Sequence, residues 1–153
     1  MKRFTFKLQS VLQYREYLEH LEQQKVAKVQ LEIRQCEDSI AQLNGTLRDG
    51  VAGLEKDMEK GMGAAQFRHH HTFLGRVESD IRDRLSSKKQ LLHALAQNLE
   101  SLKKKTIDKK VLERLRERKA REYQDEFLKS EQQTADETAS VKKIRDIQDH
   151  ASS

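Results

Sequence analysis

Between Val26 and Met58 an apolar side chain recurs at Val26, Val29, Ile33, Cys36, Ile40, Leu43, Leu47, Leu54 and Met58, in steps of mostly three and four. Steps of that size hold one narrow apolar stripe on a helix, suited to burial against a second helix rather than inside a broad core. Only Gly50 interrupts the stripe, standing where another knob belongs. A chain patterned in this way is built to pair helices.

Composition points the same way. Among 153 residues there is no Pro and no Trp, 36% are charged, and Phe and Tyr number five and three. Too little bulk is present for a multilayer domain, and without Pro the usual helix terminator is missing, so long helices are the expected form. No apolar run approaches the roughly 18 to 20 residues that span a bilayer, and no hydrophobic signal region follows Met1, so the expected address is the cytoplasm. The single Cys36 lies on the stripe, as a small buried hydrophobe or as the donor of an intermolecular disulfide; alone it staples nothing within the chain.

All six glycines fall between residues 45 and 75, so the bend belongs there. Gly61 and Gly63 form the best turn, giving a first helix at about 5–60, a connection at about 61–66 and a second helix from about 67. Along that second helix the apolar positions read Phe73, Val77, Ile81, Leu85, Leu92, Leu95, Leu99 and Leu102, with Lys88 in line and two successive steps of four after Val77. Such a stutter locally unwinds a supercoil. Folding at 61–66 sets Leu54 near Phe73, Leu43 near Leu85, Ile33 near Leu95 and Phe4 near Gln124. The predicted fold is all-α, a long antiparallel two-helix coiled-coil hairpin over 1–133. Beyond it lies a polar tail, 134–153, rich in weak helix formers and expected to fray or disorder when free.

Charge is segregated: residues 103–121 hold ten Lys or Arg against Asp108, Glu113 and Glu117. A basic helical stripe attracts polyanions, although a solvated helix face looks the same in sequence. Nucleic acid is disfavoured because no aromatic side chain interleaves the basic run, and membrane insertion because the apolar face is narrow and lacks Trp. His69, His70 and His71 are adjacent, so on a helix they point about 100° apart and do not close around one ion; a hydrophilic turn is the simpler account. There is no phosphate-binding glycine loop and no nucleophile with an activating base, which leaves no catalytic residue, metal or cofactor to name.

Two stretches carry a family resemblance. Phe4, Phe6, Leu8, Val11 and Leu12 form an aromatic start followed by a Leu-x-x-Val-Leu step. Late in the second helix a basic run containing Arg114 and Lys119 leads to Tyr123, Phe127, Glu131, Gln132, Asp136 and Glu137. In order and spacing they resemble the FliJ family of flagellar type III export components, across nearly the whole chain. The resemblance implies a non-enzymatic hairpin, similar to the central stalk of rotary ATPases, that is a monomer when free. Such a protein inserts into the export ATPase hexamer, contacts the cytoplasmic domain of the export gate membrane protein, and escorts export chaperones. It would work in the cytoplasm, peripheral to the inner membrane, with no nucleic acid partner.

Carried onto this chain, the ring contact falls on Arg114, Arg118, Lys119, Arg121, Tyr123 and Phe127. The gate contact falls on Phe73, Val77 and Ile81 with Leu43, and Thr46 and Gly50 stand where relatives often carry Tyr. Residues of the gate row serve equally as plain seam packing. The rival from another class is a generic homodimeric coiled-coil scaffold, in which the stripes pair between chains.

Overall fold

A computed structural model describes residues 2–153. It is all-helical: α1 spans Gln9–Glu59, α2 spans Ala64–Ala151, and the two pack against each other as an antiparallel hairpin. The connection is four residues, shorter than expected. Gly61 has φ of 90° and donates its N–H to the Met58 carbonyl, closing the end of α1 as a left-handed glycine does at a helix C-terminus. Gly63 then opens α2, its carbonyl accepting the Phe67 N–H. From residue 2 to residue 8 the chain is not helical: the first helix starts four residues later than its apolar pattern suggests, leaving Phe4 and Phe6 in a lead-in segment.

The chain divides into two compact units, residues 18–105 and residues 1–17 with 106–153. In the first, the stripe on α1 is the one the pattern describes from Val26 to Leu54, but Met58 is 55% exposed and Asp57 takes its place in the seam. At alternating steps of four and three from Glu22 through Val26, Ile33, Cys36 and Leu43 to Asp57, every position is buried or half-buried. Gly50 belongs to this series. A Cβ added there would lie 2.7 Å from Leu74 Cδ2, so the missing side chain is the space that Leu74 fills.

That contact also sets the register. Glu37 Oε1 meets Lys88 Nζ at 3.3 Å, Asp57 Oδ2 meets His70 Nε2 at 3.2 Å, and the Cys36 thiol donates to the Arg84 carbonyl at 3.2 Å. Carried in steps of three and four from Gly50 and Leu74, the pairing sets Leu47 with Val77, Leu43 with Ile81 and Ile33 with Leu91. The expected partners Leu85 and Leu95 lie one turn further along α2. A connection that ends at Gly63 rather than residue 66 accounts for the displacement, because shortening it moves every facing pair toward the turn.

The stripe on α2 differs more. Its buried and half-buried positions run His70, Leu74, Val77, Ile81, Lys88, Leu91, Leu95, Asn98, Leu102 and Lys105, with Arg84 in line. This is an unbroken alternation of four and three, and the stutter after Val77 is absent. Strict heptads on α1 demand strict heptads opposite. The helix therefore keeps the spacing, accepts polar side chains into the seam, and rotates Phe73, Leu85, Leu92 and Leu99 out of it by one residue each.

The second unit buries Leu12 to 1% and Leu112 to 6% of their surface. Arg15 Nη1 donates to the Asp108 carbonyl at 2.8 Å. The stretch 134–153, expected to fray, is helical through Ala151, and every side chain from Gln124 onward is exposed.

Candidate partner-binding surfaces

In the unit made of residues 1–17 and 106–153, helical geometry sorts the basic run into two faces. Leu112 points into the hairpin. Arg114, Arg118 and Arg121, at steps of four and three, share an outward face and are exposed. Val111 and Leu115 lie between them, and with Glu117 these six residues line an open groove of about 710 Å³. Val111 is 57% exposed. The surface is thus an apolar floor with a guanidinium rim, and its chemistry suits carboxylates presented beside apolar side chains, where Arg offers planar, forked donors. Val111 and Leu115 escape a reading that follows charge alone; their spacing of four on the arginine face is the signal that finds them.

Lys119 does not share that face. Its ammonium meets Glu122 Oε2 at 3.1 Å on the same helix, an exposed pair worth at most about 1 kcal/mol. Tyr123 is half-buried: its ring centroid lies 5.6 Å from that of Phe4 at 46°, and its hydroxyl donates to the Lys2 carbonyl. Tyr123 therefore fastens the segment before α1 onto α2, with its hydroxyl engaged. Phe127, one turn on, is 37% exposed and borders an open groove of about 640 Å³ with Ser130, Glu131, Thr134 and Thr138 among its walls.

In the unit of residues 18–105, the four positions assigned to the gate separate by burial. Val77 is 5% exposed and lies in the seam. Leu43 and Ile81 are half-buried, and Phe73 is 45% exposed with Cε1 3.7 Å from the Cβ position of Gly50. The ring of Phe73 thus lies along α1 where a glycine leaves room. Of the four it alone presents a large face to solvent; Val77 supports from beneath.

The histidines at the start of α2 disperse as adjacent helical residues must. His70 pairs with Asp57, His71 stacks on Phe67 with centroids 6.1 Å apart, and His69 meets His70 edge to face at 6.4 Å. Among the described residues no group of three or more His, Cys, Asp or Glu side chains is arranged to hold a metal ion, and no helix is long and apolar enough to cross a membrane.

The model of the family described as flagellar FliJ protein matches residues 4–146. Neither a curated protein nor a solved structure matches the chain.

Proposed function

Because this chain belongs to the flagellar FliJ family, a non-catalytic component of flagellar protein export, we propose that it serves as the stalk-like element of the export ATPase complex. The observation that carries this reading is the outward face of Arg114, Arg118 and Arg121 around Val111 and Leu115. Acidic loops at the mouth of a hexameric ATPase ring offer the complementary charge, and long-range attraction raises the rate of encounter with such a face. Lys119 adds positive charge, and Phe127 supplies an exposed aromatic anchor. Tyr123 contributes indirectly, by holding the segment that contains Phe4 against α2.

An off-axis hairpin touches only some subunits of a ring at one time. It therefore biases their nucleotide states through differential contacts, which couple two sites without a chemical step at the hairpin. Contact with the cytoplasmic domain of the export gate is assigned to Phe73, with Leu43 and Ile81 at its margin and Val77 as the buried support. Escort of export chaperones completes the role, carried out in the cytoplasm at the inner membrane face.

Arg114→Glu combined with Arg118→Glu tests the ring contact. Both positions are exposed, so the helical circular dichroism and melting of the variant should match the parent while its capture of the export ATPase at physiological salt falls by about tenfold or more. Unchanged capture with intact helices would sink the assignment.

A further inference from the structure

Leu85, Leu92 and Leu99 repeat at strict heptad spacing, yet the hairpin does not bury them: they are 49%, 47% and 45% exposed. All three sit one residue beyond the seam positions Arg84, Leu91 and Asn98. With Lys89, Ala96 and Lys103, which are also exposed, they make a series in steps of four and three: Leu85, Lys89, Leu92, Ala96, Leu99, Lys103. That is the spacing of a coiled-coil seam in its own right, about 27 Å long at 1.5 Å per residue. We propose that this row is a second seam on α2 and takes a third helix, contributed by an acidic amphipathic segment of another protein.

The charge of the row selects that occupant. From Arg82 to Lys103 the helix carries five Lys or Arg against Asp83 and Glu100. Lys88 is engaged by Glu37 across the hairpin at 3.3 Å, whereas Arg82, Lys89 and Lys103 lie exposed on the row's own face. A second copy of the chain is a poor fit. Laid parallel it sets Lys89 on Lys89 and Lys103 on Lys103; laid antiparallel about Leu92 it sets Lys103 opposite Ile81, directly beside Arg82. Like charges meet in both arrangements, which disfavours pairing. A helix with apolar residues at heptad spacing and Glu or Asp beside them instead buries the leucines and answers each lysine, in the manner of helices laid into an apolar groove. Ala96, at the middle of the row, leaves room for a large side chain from the incoming helix.

The row shares no residue with the surfaces assigned to the ATPase ring and the gate, so its test is independent of theirs. The full chain is titrated with a fluorescent synthetic helix of about five turns carrying Leu at heptad positions flanked by Glu, and with its twin flanked by Lys. The Glu helix should bind about tenfold or more tighter than the Lys helix at physiological salt, a difference on the scale expected when several facing charges change sign. Leu92→Gln should weaken the Glu helix by a similar factor, and Lys89→Glu with Lys103→Glu, confined to exposed positions, should reverse the preference without change in melting. Failure of the Glu helix to bind, equal affinity for the twins, or retention of the original preference by the charge-reversed chain would each overturn the proposal. So would a parent chain that sediments as a dimer and becomes a monomer on Leu92→Gln, since the occupant would then be a second copy.

Discussion

Three glycines of α1 and its turn look alike in sequence and differ in what surrounds them. At Gly45 an added Cβ meets nothing within 4 Å, at Gly50 it meets Leu74 Cδ2 at 2.7 Å, and Gly61 has a φ of 90°. Gly45→Ala should therefore stabilise the hairpin by about 0.5–1 kcal/mol through helix propensity alone. Gly50→Ala gains the same propensity but must displace Leu74, so its net effect is smaller. Gly61→Ala should cost about 1–2 kcal/mol, because a side chain there crowds the following carbonyl. Urea melts of the three variants check the ranking; a stabilising Gly61→Ala would contradict the assigned cap. The same scale separates the gate residues, where Phe73 and Val77 look equivalent by type and spacing but only Phe73 is exposed.

At the scale of the element, the two helices differ in how they are held. Helix α1 has a partner along its length, while α2 continues past Tyr123 with every side chain exposed. Over that stretch Thr134 and Thr138 hydroxyls donate to the Ser130 and Thr134 carbonyls, at 3.0 and 2.8 Å. Such local bonds satisfy the hydroxyls but add no packing, and isolated helices of this kind are marginal in water. Amide hydrogens from residue 134 to 151 should then exchange far faster than those around Leu12, Val26 and Val77, and removing residues 134–153 should leave the melting temperature of the hairpin unchanged. Protection of the tail equal to that of the seam would mean that it is anchored by something besides its own hydrogen bonds.

For the whole molecule, the polar seam positions on α2 have a consequence for pairing. His70, Lys88, Asn98 and Lys105 in line with leucines weaken the seam as a generic adhesive surface, while Asp57 and Glu37 across the hairpin answer His70 and Lys88. Polar residues at seam positions favour one register and partner at some loss of stability. A chain that pairs His70 and Lys88 internally should scatter as a monomer of 17.9 kDa, and its buried Cys36 thiol should react with a thiol reagent only as fast as the hairpin opens. A mass of twice that value with a readily oxidised Cys36 would favour the homodimeric scaffold. Periodicity of three and four, the absence of Pro and the cluster of glycines already determine two long helices and a bend, and on α1 they name the seam from Val26 to Leu54, because a helix's own geometry decides which side chains share a face. The phase of the second stripe was decided only in the tertiary structure. By composition Leu85, Leu92 and Leu99 are better seam residues than Arg84, Leu91 and Asn98, but one helix cannot choose its own phase: the strict heptads of α1 and a four-residue connection set it, and the leucines were left outside.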